Sequence, residues 1–322
     1  YVGVNSKYGT VLGGYLSTPF RSTLTSFDVM PGATGDGRIE SLMGNMRFSG
    51  SSFGLPAGVG YIQANSSVRA TALAYAMPTL YGFNGSIAYT GGNNNGCSNQ
   101  TTVGPVTFGS TGAMTSQVNA APQSALSLNL GWTGYGVNIA GAFQQAKVNN
   151  SYTATADATV ATTTSGVNVT VPASATGTLN AQAFTSYLIG ASYTGLPGLK
   201  ASVVYNRNTM GTNNPNGNSF LVGGANKLSN NAIYAGASYR FGNNEPRLSY
   251  QSVSNVDSAS NGANQWTANW GYYLSKRTQV YGIISYLKNN GNANYGMASG
   301  GTGLQATAGQ NFTTYGAGLR TN

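Results

Sequence analysis

Few side chains in this chain could carry chemistry, and their types exclude most of it. Histidine is absent, cysteine occurs once, at Cys97, and six acidic residues are scattered among fifteen basic ones. Without histidine, neither a Ser-His-Asp triad nor a histidine metal centre can be assembled. A single cysteine forms no internal disulfide, and Cys97, in the polar segment Asn93–Gln100, reads as an unpaired loop thiol. The Gly-rich stretches, Gly32–Gly37 among them, lack the Gly-Lys-Ser/Thr ending of a phosphate-cradling loop. The residue types therefore imply no enzyme, no cofactor and no metal. What remains is electrostatics.

The charges are distributed in two ways. Arg21, Asp28, Asp36, Arg38, Glu40 and Arg47 all fall in one segment, Ser17–Ser66. Opposed basic and acidic groups across a narrow passage would set a transverse field that orients dipolar solutes. The plainer alternative is that they are solvated or paired with one another. Lys200, Arg240, Arg247, Arg277 and Arg320 instead share the polar parity of alternating segments, close to short breaks or to the C-terminus, with only Glu245 against them. A ring of such cations inside a pore would enrich anions and repel small cations. Its alternative is a set of rim charges that anchor the fold at an interface. The net charge of +9 points the same way as the ring. The basic residues are scattered singly, so no nucleic-acid patch is formed.

The elements that position these groups are strands. Asn264–Ser275 puts Trp266, Ala268, Trp270, Tyr272 and Leu274 on even positions and Gln265, Thr267, Asn269, Gly271, Tyr273 and Ser275 on odd ones. Period two over that length is a strand with one apolar and one wet face. Ser124–Thr133, Tyr135–Gln144, Ser67–Met77, Phe83–Thr90, Ala181–Tyr193 and Leu199–Asn208 repeat the pattern. So do Asn231–Phe241, Glu245–Ser252, Arg277–Lys288 and Phe312–Arg320. With an opening hairpin, Tyr1–Asn5 and Thr10–Leu16, thirteen strands are expected. The breaks alternate between short (Ser6–Gly9, Pro78–Gly82, Gly134, Thr194–Gly198, Gly242–Asn244, Lys276) and long (Ser17–Ser66, Gly91–Gln123, Gln145–Asn180, Thr209–Asn230, Val253–Ala263, Asn289–Asn311). That rhythm is expected of a transmembrane antiparallel β-barrel, with tight periplasmic turns and long extracellular loops. Charged residues are 7% of the chain, against roughly 25% in soluble domains. No apolar run approaches the ~18 residues a membrane helix needs. Tyr135, Tyr193, Tyr239, Trp266, Tyr272, Tyr286 and Tyr315, near strand ends, suit the interfacial girdles of such a barrel.

Three stretches carry a family resemblance. Tyr1-Val2-Gly3-Val4-Asn5-Ser6-Lys7-Tyr8-Gly9-Thr10-Val11, Tyr273-Leu274-Ser275-Lys276-Arg277-Thr278-Gln279-Val280-Tyr281 and Tyr315-Gly316-Ala317-Gly318-Leu319-Arg320 resemble the trimeric general porins of β-proteobacteria. The resemblance implies a sixteen-stranded barrel in the outer membrane of a Gram-negative bacterium. It also implies a homotrimer set in a lipid bilayer with lipopolysaccharide, passing small solutes and ions. Sixteen strands and the odd count of thirteen together imply about three further strands N-terminal to Tyr1, and a strand-like opening at Tyr1 agrees. The family's third loop folds into the lumen, which implies that role for 17–66 within a single domain, 1–322. Its apolar residues Phe27, Met30, Leu42, Met43, Met46 and Phe48 suit packing on the inner wall, with a helical turn near Ile39–Met46. Two departures stand out. Leu12-Gly13-Gly14-Tyr15 and Ala74-Tyr75 lack the wall arginines that the family tends to carry at those places.

The expected function is passive diffusion of small hydrophilic solutes through a water-filled, anion-preferring channel. The alternatives are a channel selective for organic anions and, from another class, a β-rich surface, adhesin or fibre protein, which the Thr/Ala/Val tract Thr153–Val171 would suit.

Overall fold

The computed structural model describes residues 1–30, 37–49, 61–67, 69–91, 106–108, 112–114, 116–120, 124–146, 150–155, 174–177, 180–213, 227–256, 260–296 and 309–321. Asp36 and Cys97 lie outside them, as does the side chain of Arg47.

Thirteen strands form one antiparallel sheet in which each strand pairs with the next along the chain. They are β1 (Val2–Ser6), β2 (Gly9–Ser17), β3 (Arg69–Ala76), β4 (Phe83–Thr90), β5 (Ala125–Gly134), β6 (Val137–Ala146) and β7 (Asn180–Tyr193). The others are β8 (Leu199–Asn213), β9 (Lys227–Tyr239), β10 (Asn244–Val253), β11 (Ala263–Tyr273), β12 (Thr278–Asn289) and β13 (Phe312–Thr321). At the short turns next-neighbour pairing is forced, because they leave no room for a crossover, and the strands joined by long loops pair in the same order. Shorter strand pairs, such as Asn45–Ser49 with Tyr61–Asn65, sit within the long loops. No helix among the described residues is long and apolar enough to cross a membrane.

Period two sets the two faces. In β11, Gln265, Thr267, Asn269 and Gly271 are buried while Trp266, Trp270 and Tyr272 are exposed. Leu130, Ile139, Ile189, Val203, Leu248 and Leu319 continue the exposed apolar belt on other strands. A surface of that kind is at home in hydrocarbon and would aggregate in water.

Three of the short turns differ from expectation. Gly134 was expected to join β5 to β6, but it ends β5, and Tyr135-Gly136 make the turn, with φ of 52° and 75°. Tyr81-Gly82 repeat the geometry at 53° and 86°. Positive φ at both central residues is the type I′ hairpin, whose twist matches that of the strands it joins. Strand β12 likewise starts at Thr278, so Arg277 belongs to the preceding turn, and β9 ends at Tyr239, so Arg240 follows it.

The segment after β2 packs on the concave face of the sheet. Helix α1 (Pro19–Ser26) opens it, with Thr18 as N-cap accepting a hydrogen bond from the Arg21 amide and Pro19 beginning the first turn. The proline's fixed φ and missing N–H suit that position. A 3₁₀ turn, Ile39–Ser41, follows in the region where a helical turn was expected. Phe20, Leu24, Phe27, Ile39, Leu42 and Met43 are fully buried against Ala140, Ala142, Leu188, Val204, Ala232 and Tyr234 of the wall. At this height the inner face is therefore apolar, and truncating Phe27 to alanine would cost about 3–5 kcal/mol.

Candidate functional site

Polar side chains of the wall meet the loop's backbone along its course. Ser127 on β5 accepts from the Phe20 amide (3.0 Å) and Asn206 on β8 from the Gly44 amide (2.9 Å). Gln251 on β10 donates to the Arg38 carbonyl (2.7 Å), and Asn208 and Asn230 both donate to the Asn45 carbonyl (3.3 and 3.1 Å). Each such bond contributes about 0.5–1.5 kcal/mol, so together they hold the loop in one register on β5 to β10.

Asp28 closes the turn after α1. Its carboxylate accepts from the amides of Met30 (3.0 Å) and Ile39 (3.2 Å) and from the Tyr234 hydroxyl (3.3 Å). Lys200, on β8, donates to the Ser26 and Asp28 carbonyls at 3.0 and 2.6 Å. Burial pushes the Asp28 carboxyl up to about 6, because desolvation of the charge outweighs the two amides, Lys200 and Tyr234.

Glu40 gathers the loop's other charges. Arg21 grips it with both guanidinium nitrogens, at 2.6 and 3.2 Å, and Arg38 stands 3.5 Å away. Ser67, just before β3, donates to the same carboxylate, and Arg21 also donates to the Ser67 carbonyl (3.0 Å). Burial holds the Arg21 guanidinium below its ordinary pKa, with Glu40 pulling the other way.

A second cluster lies on the wall near the short turns. Arg247 donates to Glu245, two residues away on β10, and to Asn269 on β11 (2.7 Å). The Tyr273 hydroxyl and the Gln279 amide complete the carboxylate's shell at 2.7 and 3.3 Å.

Between the two clusters is a cavity of about 530 Å³. Among the described residues its lining carries Arg21, Arg38, Arg69, Lys200, Arg247 and Arg320 against Asp28, Glu40 and Glu245. The expected loop residues Arg21, Asp28, Arg38 and Glu40 are thus brought together with three of the five expected wall cations. Arg240 and Arg277 are not part of that lining: Arg240 stacks on the Tyr273 ring at 3.9 Å, and Arg277 is exposed in its turn. Arg69 went unremarked in the sequence, and Tyr273 was read only as a polar-face residue of its strand. Arg69 opens β3 directly after the loop, and that position was the available signal.

The fold and site now have relatives beside them. A model of Gram-negative porins matches residues 1–232 and 220–292. The chain belongs to the Gram-negative porin family. No curated protein matches it by sequence. Among solved structures, the outer-membrane protein OmpT of Vibrio cholerae is 14% identical, with a TM-score of 0.55 over 99% of this chain and 78% of that one. Its trimer form, folded in vitro, gives 13% identity and the same TM-score and coverage. At such identity the likeness is one of fold. This porin is an outer-membrane β-barrel forming a channel, and the fibre-protein alternative gives way to that.

Proposed function

We propose that this porin is a water-filled diffusion channel that prefers anions, narrowed by the 17–66 loop. The single observation that carries the reading is the lining of the cavity between loop and wall, where six cationic side chains face three carboxylates. Among the described residues the cations outnumber the carboxylates, so the surplus is positive, and it comes from the loop and the wall alike. In a confined, low-dielectric passage that surplus raises the local concentration of anions and lowers that of cations. No substrate is bound covalently and nothing is transformed; the charged groups act only through their field and their hydrogen bonds. Assembly as a homotrimer in a lipopolysaccharide-bearing membrane is part of the same proposal, supported by the family and by the trimer form of the Vibrio protein. The test is the zero-current potential across a planar bilayer under a KCl gradient. A potential of the sign set by chloride supports the reading, and a null or potassium-set potential overturns it.

A further inference from the structure

The inner face is not uniform around the barrel. From β5 to β10 the loop covers it, held by Ser127, Gln144, Asn206 and Gln251 and packed on the apolar patch around Ala140, Leu188 and Val204. On β3 the same parity reads Ala70, Ala72, Ala74, Ala76, four alanines in register along the strand. Ala74 pairs with Leu12 on β2 and with Ala88 on β4, so at that rung the apolar surface is three strands wide, while Ala76 lies between Thr10 and Ser86.

Beside it is a second cavity, of about 480 Å³, lined by Leu12, Leu16, Pro19, Ala74, Ala76 and Ser86 among others. Among the described residues only one charged side chain lines it, Arg69. Ser17 and Arg69 line both this cavity and the charged one, so the two adjoin. Arg69 makes no ion pair with any described residue.

We infer that the channel favours organic anions that carry an apolar body beside the charge, aromatic monocarboxylates being the best fit. The carboxylate meets Arg69 and the cationic cavity while the ring lies along the alanine surface. A strongly hydrated anion gains nothing from that surface. An apolar ring sheds water against it, and the alanines leave the room that a larger residue would fill. This deepens the proposed anion channel and rests on it.

The test compares two nearly isosteric anions, benzoate and the more polar nicotinate, by bi-ionic potentials against chloride in planar bilayers of the native protein. After correction for free-solution mobility, benzoate is expected to be about threefold more permeant. Ala74→Asn with Ala76→Asn should remove that ratio while the chloride-over-potassium preference persists. Arg69→Gln should lower both carboxylates together and leave their ratio intact. Equal native permeability, or a ratio untouched by the alanine substitutions, overturns the inference. Loss of chloride preference in the native protein would instead sink the anion channel itself, so the two failures are distinguishable. Heat-modifiable gel mobility confirms that each variant is a folded barrel.

Discussion

Glu40 and Glu245 use the same chemistry in two settings. Each pairs with arginine and accepts from a hydroxyl, and each lines the same cavity. Glu40, however, joins segments that no ladder holds: Arg21 on α1, Arg38 ahead of the 3₁₀ turn and Ser67 at the return to β3. Glu245 joins β10, β11 and β12, which their backbone hydrogen bonds already align. The difference teaches that an ion pair matters to structure in proportion to what else holds its partners. Glu40 works as a clasp for the loop, and Glu245 works mainly on the field.

The largest separation between them should come from Glu40→Gln. Removing one partner of a buried pair leaves two guanidinium groups uncompensated, and about 3 kcal/mol should be lost. The unfolding midpoint followed by gel mobility should fall, and single-channel conductance should become larger and noisier. A quiet, normally stable variant would show that Glu40 is no clasp.

Next in size is the pH response of the loop. Asp28 has its pKa raised from 3.8 to about 6. A carboxyl that is raised in the seated loop binds its proton more tightly there than when released. Seating is therefore favoured as pH falls through about 6, fully so below 3.8, and that contribution is lost as pH rises through about 6. Noise from the loop should diminish across that window in the native channel, and Asp28→Asn should flatten the dependence. Increased noise on acidification would reverse the sign of the argument.

A smaller effect is expected at the start of the loop. Thr18→Ala removes the cap of α1 and should cost about 1 kcal/mol, read as a modest fall in the same midpoint. Smallest for stability, and the counterpart of the first, is Glu245→Gln. The midpoint should move by about 1 kcal/mol or less although Arg247 is buried, because Asn269 and Gln279 still accept from its guanidinium and the backbone ladders hold β10 to β12 without the carboxylate. The preference for chloride should nevertheless rise, since Arg247 loses its counter-charge. A large loss of stability here would erase the contrast with Glu40.

Much of this was legible in the sequence. The strict alternation in 264–275 and its repeats gave the two faces, because a barrel between lipid and water leaves every second residue one environment. The loop's charged residues and apolar content pointed to a packed segment. Less was legible where one local rule yields to another. Helix α1 lies in a Ser/Thr-rich stretch without clear periodicity, though Thr18-Pro19 is a cap signature. Tyr135-Gly136 hid a turn behind an aromatic residue, which rarely adopts positive φ. Ala140, Leu188 and Val204 sit at polar-face parity yet build an apolar core, because the loop rather than water covers them. Only the fold reveals which wall the loop covers, and hence that the alanines of β3 are left beside a cavity.

The most direct test of the central claim is the zero-current potential of the Arg38→Gln, Arg320→Gln double variant beside the native channel under one KCl gradient. The cationic lining predicts a clear chloride potential for the native protein that shrinks sharply in the variant. A native chloride potential left unchanged by losing both arginines would contradict it.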